Sequence, residues 1–291
     1  MSRTMTFNKG SKMIALLGAA AVILAGCAAQ AEPEEAAPAE EVVEAGPEVL
    51  APEYLNKTGV VKYCATLDNP PRGFLDEGSR PVGFEVELGV AMADLMDLRV
   101  EWIQLKFDGI IAALQANQCD VIVQELFIRE ARLEIIDMVP FSNTGQRLVA
   151  RDGVELAGTT LEELSGVKVA VPNGTSIATL VEEANVALKE AGKAPINVQV
   201  LPTTTDTFAL LDSGTVDVVG TTTTAAAYYV SLNPTNFKFL GDPFGLIQTG
   251  FGINKDNPDM TRAIQEAFDI LVSNGTYAAL IEKFGLEGSE L

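Results

Sequence analysis

Apolar residues follow two alternating rhythms along most of this chain. GVVKYCATL at 59–67 reads as a strand, and PVGFEVELGVAMADLM at 81–96 turns helical, with Leu88, Met92 and Leu95 on one face. RVEWIQL at 99–105 predicts a second strand, FDGIIAALQAN at 107–117 a helix stopped at Asn117, and CDVIVQ at 119–124 a third strand. The pattern then restarts. Thr160 to Glu163 form a capping box that opens a short helix. VKVAV at 167–171 is a strand, followed by the turn PNGTS and a helix from about Ile177. INVQVL is a strand, TDTFALLDSG a helix with a glycine stop, and VDVVG a strand. Two βαβαβ runs predict an α/β protein whose parallel sheets are covered on both faces.

The two runs share a matched piece. Leu114 lies six residues before Asp120, and Leu211 six residues before Asp217. Five residues beyond each aspartate stand Glu125 and Thr222. Both positions fall just past the carboxyl end of a strand, the edge at which open α/β sheets bind ligands. The charge after the third strand (Gln124, Glu125, Arg129, Glu130, Arg132) thus belongs to a cleft, facing the threonines at 221–224. The final stretch, 259–285, is helical with Ile264, Phe268 and Leu271 on one face. It has no strand nearby in sequence, so it packs on an existing lobe.

The first 53 residues follow neither rhythm. Arg3, Lys9 and Lys12 precede a short apolar run that ends in LAGC at 24–27, the pattern of a secretory signal. That run is too short for a spanning helix. Residues 28–53 hold eight glutamates and no Lys, Arg or aromatic residue. Such a segment cannot bury enough apolar surface to offset its ordering entropy and is expected to be an extended tether. The folded body is then expected to start at about Tyr54.

The chain carries a net charge of −20; without the signal's +3 and the tether's −8, the body retains −15. A strongly acidic surface argues against nucleic-acid or anionic-membrane binding. With no histidine, His-based triads and His-ligated metals are excluded. Cys64 and Cys119 sit in or beside apolar strand runs and are read as buried free thiols, although export permits a disulfide.

Four stretches resemble the extracellular solute-binding proteins, family 3, that serve ABC importers of polar amino acids. They are PPRGFLDEGSRPVGFEVEL, FDGIIAALQANQCDVIVQELFIREARLEIIDMVPFS, LSGVKVAVPNGTS and NPDMTRAIQEAFDILVSNGTYAALIEKFG, spread over 60–284. The resemblance implies a periplasmic-binding-protein-like type II fold, α/β, with two lobes joined by two crossover segments and a ligand cleft between them. It places lobe 1 at 54–145 plus 248–291 and lobe 2 at 146–247. The crossovers fall near Ser142 to Val149 and Phe244 to Thr249, and the terminal helices return to the first lobe. LAGC resembles a lipobox, which makes residues 1–26 a lipoprotein signal peptide and Cys27 the lipidated start of a 27–53 tether.

Residue by residue, Arg132 matches the arginine that grips the ligand's α-carboxylate; the plainer reading is a surface ion pair with Glu130 or Glu134. Gly174, Thr175 and Ser176 match the second-lobe carboxylate contact, and free N–H groups at a helix start attract anions in any case. Phe107 matches an apolar pocket residue. Three matches depart from the family. Its ammonium-binding aspartate falls on Thr222, its small or hydroxyl residues on Gln124, Glu125 and Phe127, and its aromatic lid on Asn69. Either Glu125 replaces the lost aspartate, or the ligand lacks an α-ammonium and meets the threonines. A buried Glu125 requires a cation, with Arg132 or Arg129 as candidates.

The resulting expectation is an exported, non-enzymatic binding protein that needs no cofactor or metal. It is held by a lipid at the outer face of the cytoplasmic membrane or in the periplasm. It is expected to be a monomer that passes a small polar carboxylate, an amino acid by preference, to an ABC permease. The alternatives are a dehydratase-like cleft enzyme using Glu125 or Asp68 as its acid, and a sensory module of the same fold.

Overall fold

The computed structural model describes residues 47–291. The signal peptide, Cys27 and most of the tether lie outside the described residues. In the first lobe α1 (Glu53–Asn56) leads into β1 (Val60–Ala65), then into β2 (Asp68–Asn69), β3 (Gly73–Leu75) and β4 (Pro81–Val82). Next come α2 (Phe84–Leu95), β5 (Arg99–Gln104), α3 (Ile110–Gln115), β6 (Val121–Ile122) and α4 (Glu130–Leu133). The long β7 (Ile136–Arg151) leaves this lobe. The second lobe holds β8 (Lys168–Pro172), α5 (Ser176–Glu190), β9 (Asn197–Leu201), α6 (Thr204–Asp212), β10 (Val218–Thr222) and α7 (Thr223–Leu232). A second long strand, β11 (Phe237–Asn254), precedes α8 (Pro258–Ser273) and α9 (Thr276–Phe284).

The main sheet has the order β5-β1-β6-β11-β7-β10-β8-β9. Within each half the outer strands are parallel, as the βαβ pattern predicts. In the middle, β7 and β11 run antiparallel and pair from Phe237↔Arg151 to Asn254↔Ile136. The two expected parallel sheets are therefore one mixed sheet. The physical reason is that the two long strands traverse the molecule in opposite directions, and each reaches into both halves. A separate sheet of β2, β3 and β4 stands over the exit of β1 and has no counterpart in the periodicity, since its strands span two or three residues.

Each half closes on its own core. In the first, Tyr63, Leu88, Met92 and Phe141 pack with Met260, Ile264, Phe268 and Leu271 of α8. The terminal helices thus cover the first lobe, and each fully buried side chain of that stripe contributes about 1.5–3 kcal/mol. In the second, Leu148, Val169, Val171, Ile177, Val181 and Val218 form the equivalent cluster.

Two expectations are corrected here. Val49 and Ala51, read as the end of the tether, are buried in the first core, and Val49 N–H donates to the Leu95 carbonyl at 2.9 Å. The packed body therefore begins by Val49, not at Tyr54, because a short apolar pair at the end of an acidic run finds a ready surface on α2. Cys64 and Cys119 are joined in a disulfide, not free. Cys64 faces Ile122 across the β1–β6 ladder, which brings the Cα atoms of Cys64 and Cys119 to 5.7 Å. Burial among apolar residues suits both states of a cysteine, and the pairing depends on a strand register that sequence spacing does not reveal.

Candidate functional site

The carboxyl ends of β1, β6, β8 and β10 meet between the lobes. A cavity of about 50 Å³ lies there, lined by residues of both lobes, among them Asp68, Phe107, Arg132, Ser176 and Thr222. Cavities that hold small organic ligands usually exceed about 300 Å³, so the lobes stand close together. Contacts across the cleft hold them so. Thr224 Oγ1 donates to Glu125 Oε1 at 2.9 Å, Asn173 Nδ2 donates to Asp108 Oδ2 at 2.8 Å, and the Phe74 and Tyr228 rings lie 6.4 Å apart.

Arg132 projects from α4, just past β6. Its Nη1 donates to the Phe127 carbonyl at 2.8 Å and its guanidinium lies 5.6 Å from the centre of the Phe107 ring. Among the described residues no carboxylate is within ion-pair distance of it. A surface pair with Glu130 or Glu134 is therefore ruled out. Burial, aided by the Arg129 charge, lowers the Arg132 pKa to about 10, so it remains a cation at neutral pH. Across the cleft α5 presents its first residues to the same cavity. The Thr175 hydroxyl caps the helix, accepting from Ala178 N–H at 3.4 Å and donating to the Pro172 carbonyl at 2.7 Å. Ser176 Oγ is buried without a partner. A partly desolvated guanidinium and a helix N-terminus on the wall of one cavity are the kind of groups that attract an anion.

Gly174 is not on the cavity wall. It lies in the turn behind, at φ +70°, where a Cβ would come within 3.0 Å of Asp108 Cα. Both the left-handed backbone and the close approach of the other lobe require glycine there.

Glu125 is 3 % exposed, and its oxygens meet protein groups only. Arg72 Nε lies 2.8 Å from Oε1 as an ion pair out of line for a hydrogen bond, Thr224 donates to the same oxygen, and Asn69 Nδ2 donates to Oε2 at 2.8 Å. The cation that Glu125 requires is therefore Arg72, neither Arg132 nor Arg129. Arg72 is fully buried. Its Nη1 also donates to Ser142 Oγ at 3.0 Å and stands 3.4 Å from Glu85 Oε1. The chain is held there by α2: Glu85 N–H donates to the Arg72 carbonyl at 2.7 Å, across Gly83, where a Cβ would lie 2.5 Å from that oxygen. Nothing in the spacing of PPRGF points from position 72 to position 125.

Asp68 lines the cavity, and its carboxyl is raised above the usual range by burial, offset in part by the neighbouring Thr66 side chain and Thr204 backbone. Among the described residues no cation is within ion-pair distance of it. Gln124 turns its Oε1 toward Thr66, accepting from its N–H at 2.9 Å and its hydroxyl at 3.0 Å. Phe107, Phe127 and Asn69 also line the cavity, with Thr222 at its second-lobe edge. The sequence reading missed Gln146, whose Oε1 is buried and unpartnered on β7, and the threonines at 203–204. Among the described residues no three Cys, Asp or Glu side chains are grouped to hold a metal, and no helix is long and apolar enough to cross a membrane.

Two α/β lobes that enclose a half-buried cation and a helix N-terminus make a two-lobed solute-binding protein of the periplasmic-binding-protein type. The chain belongs to the bacterial extracellular solute-binding proteins, family 3, whose profile matches residues 61–287. It is 25% identical to the L-cystine-binding protein TcyJ of Escherichia coli over 216 residues, 74% of this chain and 78% of that one. It is 26% identical to the L-arginine-binding protein of Pseudomonas aeruginosa, over 74% of this chain and 83% of that one. Among solved structures, an ancestral arginine-binding protein bound to arginine superposes with a TM-score of 0.72 at 32% identity, covering 78% of this chain and 98% of that one. An ancestral amino acid-binding protein described as a precursor of cyclohexadienyl dehydratase gives 0.72 at 26% identity, covering 79% and 97%.

Proposed function

We propose that this protein is the substrate-binding component of an ABC importer, taking up an amino acid between its lobes and delivering it to a membrane permease. The observation that carries this is the half-buried Arg132, without a carboxylate partner among the described residues, lining the same cavity as the start of α5. The ligand's carboxylate bridges the two, with Ser176 Oγ as a further donor. Its ammonium goes to Asp68, the cavity carboxylate without a cation, because Glu125 is neutralised by Arg72. Gln124, Gln146 and the threonine hydroxyls serve the polar remainder. Entry requires the lobes, 49–145 plus 248–291 and 146–247, to part about the two long strands and reclose, a hinge motion usual for such folds. The lipobox resemblance supports anchoring through Cys27, which would keep the protein beside its permease.

An enzyme of the same fold is the second reading, favoured by the likeness to the dehydratase precursor. Glu125 fits it poorly, since both oxygens are engaged by Arg72, Asn69 and Thr224. Known amino-acid binding by relatives, such as those for L-cystine and L-arginine, supports the binding reading.

The test is a thermal-shift screen against amino acids and their hydroxy- and keto-acid counterparts. A ligand at a thousand times its Kd adds about 4 kcal/mol. Stabilisation by amino acids, lost in Asp68→Asn, supports the assignment. Stabilisation by the deaminated set alone refutes the role of Asp68 and gives the site to the threonines.

A further inference from the structure

A second hollow, of about 720 Å³, lies at the hinge and shares no wall residue with the ligand cavity. Its floor is formed by the chain at 143–145 and 243–246, where β7 and β11 cross between lobes, and its sides by α7 and by residues 284–289. Its volume is that of a small-molecule site, and interlobe clefts are where such sites occur. Tyr228, Phe244, Leu246 and Phe284 supply apolar wall, and Leu246 is 79 % exposed. A large aliphatic side chain so exposed beside aromatic rings is an uncovered apolar surface.

Polar groups are fixed within that wall. Thr144, itself only 4 % exposed, has a buried hydroxyl without a partner, and so has Thr223. A buried hydroxyl left unsatisfied is destabilising, and an occupant whose polar group displaces the wall to reach it would recover that loss. The floor is tight: a Cβ on Gly145 would stand 3.0 Å from the Phe244 carbonyl and 3.3 Å from Thr223 Oγ1. Among the described residues the only charged one on the wall is Glu287, and the whole chain is strongly acidic, so the hollow disfavours anions.

We propose that this hollow is a second binding site, for a small aromatic amine. Its ring lies against Phe244, Leu246 and Tyr228, its hydrogen-bonding group meets Thr144 and Thr223, and its ammonium is drawn to Glu287. The site touches the ligand cleft through one short segment. Thr222 lines the cavity, Thr223 lines the hollow, and Thr224 donates to Glu125. An occupant would brace the start of α7, and with it the closing contact.

Tryptamine and indole-3-acetate, a cation and an anion on the same ring, are the probes, titrated into the full chain by calorimetry with amide NMR shifts to locate them. Tryptamine is expected to saturate, with shifts centred on Thr144, Thr223 and Leu246, and indole-3-acetate to bind at least tenfold more weakly. Leu246→Lys, at an exposed position that leaves melting unchanged, should weaken tryptamine at least tenfold, whereas Arg132→Ala should leave it unchanged. Absence of saturable binding overturns the proposal. So does tryptamine binding that falls with Arg132→Ala and is indifferent to Leu246→Lys, since that places the amine in the ligand cavity.

Discussion

Arg72 Nε lies 2.8 Å from Glu125 Oε1, and both side chains are shut away from solvent. One guanidinium thereby joins the exit of β6, the start of α2 through Glu85, and the hinge through Ser142. The pair settles the electrostatics of the cleft, because it removes Glu125 from competition for a ligand cation.

Breaking a buried pair leaves the surviving charge uncompensated and costs about 3–5 kcal/mol. Arg72→Met should lower stability by that amount in urea unfolding. Adding Glu125→Leu should restore much of it. A double variant no more stable than Arg72→Met would show that the two residues are not coupled.

The two neighbouring arginines should separate cleanly. Arg132→Ala removes a charge-assisted hydrogen bond worth about 1.5–3 kcal/mol, a loss of roughly 10- to 150-fold in carboxylate affinity. Arg129 caps α4 outside the cavity, and Arg129→Ala should change affinity less than about threefold by the same scale. Calorimetry with the best ligand of the thermal screen reads both; equal effects would mean that Arg132 does not hold the carboxylate.

Glu85 gives stability a pH dependence. Burial, outweighing the nearby Arg72 and reinforced by Glu125, raises its carboxyl from an ordinary 4.5 to about 8. Below the lower value folded and unfolded chains both hold the proton, and the contribution is fully present. Between the two values only the folded chain holds it, so this stability is lost as pH rises, at up to about 1.4 kcal/mol per pH unit. Glu85→Gln should flatten the unfolding free energy between pH 5 and 8, windows set by those two values. An unchanged slope would assign the pH dependence to other groups.

The disulfide closes a loop with a sequence separation of 55 residues. In the chain-entropy limit that is worth about 4 kcal/mol, and measured losses for native bonds run about 2–5 kcal/mol. Cys64→Ser with Cys119→Ser should lower the unfolding free energy within that range in denaturant titrations. A loss under about 0.5 kcal/mol would mean that the β1–β6 pairing is equally restricted in the unfolded chain.

The sequence by itself determined the alternation of strands and helices, the repeat that makes Glu125 and Thr222 counterparts, and the cleft edge on which both fall. These are local properties: apolar period, capping residues and strand-end position act over a few residues and survive in a linear reading. Arg132, Asp68 and Thr175 line the same cavity; the first and last stand out through the family resemblance, and Asp68 through its place after β1. Tertiary structure alone decided the rest. The union of two sheets into one, the bond between Cys64 and Cys119, the burial of Val49 and the pairing of Arg72 with Glu125 all join residues far apart in sequence. Which distant groups meet depends on strand register and hinge direction. A buried charge then takes whichever partner that geometry delivers, here Arg72 and not an arginine from its own loop.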